Sequence, residues 1–131
     1  MKKSILRIVS KIAVDNLSKH PELLNFPHFS FVIQKNKVVE WAINGRHEPS
    51  LHLGYHRKDD VTFRPKFHSE IWAWKKAKGL LFGDTFEIVN IRLNRKGQHK
   101  FSRPCGPCFE LLSALGCSKF YYSSEVGFLH S

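Results

Sequence analysis

Apolar side chains recur at Ile5, Leu6, Val9, Ile12, Ala13 and Leu17, the spacing of one stripe along a helix, so Lys2 to Lys19 is predicted helical with a basic opposite face. Pro21 and Pro27 then punctuate the chain. Two apolar-rich runs, Phe29 to Gln34 and Val38 to Ile43, flank Lys35-Asn36-Lys37 and read as an antiparallel hairpin, closed by Asn44-Gly45. From Arg46 to Phe67 the apolar residues follow no period and Pro49, Gly54 and Pro65 interrupt them. That stretch is expected to be a long loop, of a length that usually carries function.

The second half alternates element types. A helix is predicted from about His68 to Leu81, ending near Gly83, and the run Thr85 to Leu93 reads as a largely buried strand. Arg95 to Lys100 is a polar turn. A helix from about Cys105 to Leu115 leads into a last strand, Lys119 to Ser123, and a short tail. This order implies an α/β sandwich in which the hairpin is antiparallel and strands joined by crossover helices are parallel. The expected sheet is short and mixed, with about four strands.

With 131 residues, 42% of them hydrophobic, the chain has the size and apolar content of a single globular domain over 1–131. The start Met1-Lys2-Lys3-Ser4-Ile5-Leu6 has the look of a signal peptide, but Arg7, Lys11 and Asp15 interrupt the apolar run. No stretch is expected to span a membrane. Three cysteines provide no disulfide framework and suit a reducing compartment such as the cytoplasm. The balance of 21 Lys and Arg against 11 Asp and Glu leaves a net charge of +10, which favours a polyanionic partner, the bland reading being a solvated basic surface.

Two clusters carry candidate chemistry: His68-Ser69-Glu70 and Pro104-Cys105-Gly106-Pro107-Cys108. One imidazole, two thiolates and a carboxylate that is not a ligand are what a catalytic Zn2+ needs, because three protein ligands leave a fourth position for water. Cys105 and Cys108 are three apart, so on the first turn of a helix both sulfurs face one ion. Pro104 suits that helix start, and the positive dipole end there favours the thiolate. His68 and Glu70, two apart, would diverge on a regular helix, so His68 is expected at or near the N-cap. Glu70, left unligated beside the metal-bound water, could move protons, a role that requires burial to tune its pKa toward neutrality.

Taken singly, each fragment has other readings. A Cys-x-x-Cys pair is often half of a structural zinc site or a redox pair. A closed structural site would need a fourth ligand, with His99 and Cys117 the nearest candidates. Cys117, following a helix-ending Gly116, reads better as a small buried hydrophobe. Taken together and in order, the clusters reproduce the H-x-E and P-C-x-x-C signature of zinc-dependent nucleobase deaminases.

On these motifs and on its order of elements the chain resembles the cytidine deaminase superfamily, in a compact viral or bacterial form. The resemblance implies His68, Cys105 and Cys108 as zinc ligands and Glu70 as proton shuttle. It implies substrate contacts at Asn44, which is similar in position to a sugar-binding asparagine, at Ser69 through its backbone amide, at Arg103 through its carbonyl, and at Tyr122. Asn44 is also an ordinary turn residue before glycine. Family members usually continue past the Tyr121-Tyr122 strand, so an exposed sheet edge is expected here. A partner subunit, the tail Val126-Gly127-Phe128-Leu129, or further residues would cover it, and a homo-oligomer is the favoured repair.

The expected reaction is hydrolytic deamination of cytosine to uracil, with single-stranded nucleic acid as the favoured substrate. Arg46, His52, His56, Arg57, Lys58, Arg64 and Lys66 lie in the loop leading to His68 and could line a phosphate-binding groove, with Tyr55 among them as an aromatic face. Trp72 and Trp74 are more often core than stacking platforms. The rival is a deaminase of free cytidine or deoxycytidylate, and a third reading is a silent basic zinc module that only binds nucleic acid.

Overall fold

A computed structural model of the chain describes residues 2–19, 27–43, 69–83, 85–102 and 106–130. The elements are α1 (Lys3–Lys19), β1 (His28–Gln34), β2 (Lys37–Ile43), α2 (Ser69–Ala77) running into a 3-10 turn (Lys78–Leu80), β3 (Phe86–Leu93), β4 (His99–Lys100), α3 (Gly106–Ala114), β5 (Cys117–Ser124) and β6 (Gly127–His130). The strands form a six-stranded mixed sheet in the order β2-β1-β3-β5-β6, with β4 pairing β3 off that path. Only β3 and β5 run parallel, joined through α3, while the other pairings are antiparallel.

Alternation along the central strands splits the core between the two sheet faces. On one face α1 lays its Ile5, Val9 and Ala13 stripe against Phe29, Phe31, Ile33, Val89, Ile91 and Leu93. On the other, Ile71, Ala73 and Ala77 of α2 and Cys108 and Leu112 of α3 pack against Val32, Ile88 and Phe120. Fully burying each of the larger side chains contributes about 1.5–3 kcal/mol. Because β1 and β3 are covered on both sides, they read in sequence as nearly unbroken apolar runs. Trp72 and Trp74 are partly buried against the α2 and α3 cluster, in keeping with a packing role.

The hairpin turns at Lys35 (φ 52) and Asn36 (φ 60), a two-residue loop with both central residues left-handed, which matches the twist of the flanking strands. Gln34 pins the α2–β3 connection to the end of β1: its amide donates to Phe82 O at 2.6 Å and Thr85 O at 2.7 Å and accepts from Phe82 N at 2.8 Å.

The sheet has six strands where about four were expected, and both additions have a local cause. Within the expected polar turn, Asn94 Oδ1 accepts from the amides of Lys96 and Gln98, each at 2.9 Å, which turns the chain back so that Lys100 pairs with Arg92. At the other end, a turn at Glu125-Val126 folds the tail into β6 against β5, with Gly127 at φ 128. The tail therefore covers the β5 edge, and that edge no longer argues for a partner subunit. Among the described residues no helix is long and apolar enough to cross a membrane.

Candidate active site

Helix α2 runs antiparallel to β3, so its first residues, Ser69 and Glu70, lie toward the carboxyl end of the parallel β3–β5 pair. The first turn of α3, which holds Cys108, packs over the same sheet face. Open α/β sheets place ligands at this end of their strands, beside helix N-termini that carry free amides and positive dipole.

Seven polar residues are buried among the described residues: Ser30, Ser69, Glu70, Asn90, Ser102, Ser123 and Ser124. The first six form one hydrogen-bonded network. Asn90 Nδ2 donates to Glu70 Oε2 at 3.1 Å and, more weakly, to Ser102 O at 3.4 Å. Asn90 Oδ1 accepts from Ser30 Oγ at 2.7 Å, and the hydroxyls of Ser30 and Ser69 share a hydrogen bond of 2.6 Å. Ser102 Oγ donates to Asn90 O at 3.0 Å and accepts from Ser123 N at 2.8 Å. Burying this many polar groups is costly unless each is satisfied, so a connected network at one end of a sheet marks a site held in a fixed geometry.

Glu70 is 3% exposed. Burial pushes its carboxyl above the usual carboxylate range, against the lowering pull of its own backbone amide and of Asn90. The ion pairs among the described residues, Lys11–Asp15, Lys76–Glu40 and Lys100–Glu125, involve partly or largely exposed side chains and none reaches Glu70. A desolvated acid of this kind suits proton transfer. Cys108, 1% exposed, lies on the first turn of α3, at the positive end of the helix dipole. Cys117 is the contrasting case: burial pushes its thiol up to about 12, so it stays protonated and packs as a hydrophobe.

Of the residues singled out from sequence, the structure thus brings together Ser69, Glu70 and Tyr122, with Cys108 on the adjoining helix. Tyr122 pairs with Asn90 across the parallel strands. His68, Cys105, Asn44, Arg103, Arg46, His52, His56, Arg57, Lys58, Arg64 and Lys66 lie outside the described residues. His68 directly precedes Ser69 and Cys105 directly precedes Gly106 in the chain. Among the described residues no group of three His, Cys, Asp or Glu is placed to hold a metal. Of the three ligands expected for Zn2+ only Cys108 is among the described residues, a buried thiol at a helix start, which is a donor type that zinc accepts.

Sequence reasoning passed over Ser30, Asn90, Ser102 and Ser123. A signal existed for two of them, since Ser30 and Asn90 interrupt the apolar runs Phe29-Ser30-Phe31 and Val89-Asn90-Ile91.

No protein-family model and no curated protein sequence matches the chain. Among solved structures it is similar to a cytidine deaminase from Mycobacterium leprae, with a TM-score of 0.55 at 15% identity, covering 92% of this chain and 88% of that one. The likeness establishes the architecture: a cytidine-deaminase-like α/β/α sandwich.

Proposed function

We propose that this chain is a zinc-dependent hydrolytic deaminase of cytosine in single-stranded nucleic acid. The observation that carries the reading is the buried Glu70 carboxyl, oriented by Asn90 at the start of α2 and raised above the ordinary carboxylate range. His68, Cys105 and Cys108 would hold the zinc. When bound, the metal supplies Lewis acidity that lowers the pKa of a coordinated water to about 7.

The residues of the chain do the rest. Glu70 accepts a proton from the water as its oxygen joins C4 of the base and passes it to N3, then carries the remaining hydroxyl proton to the amino nitrogen as the C4–N bond breaks, C4=O forms and ammonia leaves. Asn90 holds the shuttling carboxyl in one orientation while its other side is fixed by Ser30. The closed surroundings of Glu70 exclude bulk water, which keeps the proton on that short path.

The net charge of +10 supports a polyanionic substrate over a small one. The structural relative is a cytidine deaminase, which favours a second reading in which the substrate is free cytidine or deoxycytidylate. The experiment that separates them incubates the protein with single-stranded DNA, single-stranded RNA, deoxycytidylate and cytidine in parallel and measures uracil. Deamination confined to the monomers would replace the first reading by the second, and none with any substrate would end both.

A further inference from the structure

Helix α1 covers the sheet face opposite α2 and α3, and its outward side is a line of cations. Lys3, Arg7 and Lys11 are exposed and follow one another at four-residue spacing, so they share one face of the helix at steps of about 6 Å along its axis. At the other end of α1 lies a groove of about 750 Å³, lined by Lys19 of the last turn, by Arg95 and Lys96 of the turn that follows β3, and by Val14 and Leu17. Line and groove follow one helix, about 24 Å long from Lys3 to Lys19. The carboxyl end of β3 carries Asn90 and the Glu70 network. The groove therefore lies at the catalytic end of the sheet, and the cations lead away from it along the far face.

This arrangement works against the helix that carries it. Like charges four residues apart destabilise a helix by about 0.2–0.5 kcal/mol per pair, and cations on the first turns oppose a dipole that favours acids there. The first turn of α1 holds no acid. Asp15, the one acid on the helix, is engaged by Lys11 at 3.2 Å, and Lys3 and Arg7 form no ion pair among the described residues. A face that served solubility alone would interleave acids at these spacings. Phosphates supply the missing charge: they follow one another along a strand at a similar step, and a cationic track beside the backbone is how single strands are held without regard to sequence. An anionic bilayer fits less well, because the apolar stripe of α1 is committed to Phe29, Phe31 and Ile91 of the sheet instead of facing an interface.

We infer that α1 is a second, electrostatic contact for a single nucleic-acid strand, remote from Glu70. The strand passes over the end of the sheet through the groove between Lys19 and Lys96, and its phosphates then follow Lys11, Arg7 and Lys3 along the far face. The inference rests on the polynucleotide reading above and adds a track that only a long strand reaches.

The test compares wild type with a Lys3→Ala, Arg7→Ala double variant, which keeps α1 because alanine is at least as good a helix former. Fluorescence anisotropy measures binding of labelled single-stranded DNA of about 5 and about 30 nucleotides, both free of cytosine so that no turnover intervenes. The variant should bind the long strand about tenfold more weakly near 0.1 M salt, with the slope of log affinity against log salt smaller by about 1.4, and should bind the short strand as wild type does. Deamination of deoxycytidine should be unchanged. Wild-type affinity and salt slope on the long strand, or equal losses on both lengths, would overturn the track and leave the deaminase reading intact. Loss of binding to phosphatidylserine vesicles with strand binding retained would also overturn it and give the face to a membrane. Absence of uracil from every substrate would instead strike the deaminase reading, while the anisotropy series would still decide whether α1 holds a strand.

Discussion

The hydroxyl of Ser30 donates to Oδ1 of Asn90 at 2.7 Å, and this decides which end of the Asn90 amide faces Glu70. With Oδ1 occupied by a donor, Nδ2 points to the carboxylate and gives it a hydrogen bond at 3.1 Å. A residue on β1 thereby sets the orientation of an acid on α2 through a third residue on β3.

Glu70→Gln keeps an acceptor for Asn90 and removes the carboxyl proposed to carry protons. Turnover should fall by about 10²–10⁴ with zinc content, measured by inductively coupled plasma mass spectrometry, unchanged. Loss of zinc from this variant would contradict the division of roles.

The same substitution makes a pH prediction for the metal-stripped protein. Burial raises the folded Glu70 carboxyl above its ordinary 4.5, so folding favours the protonated form. The stability from that form is complete below the ordinary value and is lost as pH rises through the raised one. Glu70→Gln should therefore match wild type at about pH 4 and exceed it at about pH 8, by on the order of 1 kcal/mol. Urea midpoints at the two pH values check this, and a gap that narrows with rising pH would contradict it.

Asn90→Asp retains shape but replaces the donor facing Glu70 with a second acid. We expect a stability loss of about 2–4 kcal/mol at neutral pH, partly relieved in acid, together with a fall in kcat larger than the change in KM. Urea denaturation and steady-state kinetics would measure the two effects, and a variant of wild-type stability would refute the network's role.

Cys117, with its thiol at about 12, should resist iodoacetamide at about pH 8, where only about one part in 10⁴ is thiolate. Chelation of zinc should expose Cys105 and Cys108 to alkylation and leave Cys117 unlabelled by peptide mass spectrometry. Labelling of Cys117 in the folded protein would contradict its burial.

At the hairpin, Asn36→Gly suits the left-handed second position of the turn. It should raise stability by about 0.5–1 kcal/mol, read as a higher urea midpoint with activity unchanged.

Periodicity and turn chemistry made much of this fold legible. The stripe from Ile5 to Leu17 predicts α1, and the Lys35-Asn36-Lys37 turn predicts the hairpin to within a residue or so, because both rest on local rules. Strands β4 and β6 were not legible, being only two and four residues long, too short for a period to register. Their formation depends on the Asn94 side chain and on the turn at Glu125-Val126. Glu70 stood out through its motif, whereas nothing local links positions 30, 69 and 90. Only the pairing Ser30↔Asn90 and the packing of α2 on the sheet bring them together.

The bonds that orient Glu70 join positions 20, 39 and 60 residues apart, spanning the hairpin, a helix and the middle of the sheet. The shortest stretch that contains them runs from Ser30 to Asn90, nearly half of the chain, so no short segment holds a half-built centre. Such long-range closures form late and together. Deaminase activity and the slowest-exchanging amides of β3 should accordingly vanish over one denaturation transition, leaving the protein no folded but idle intermediate.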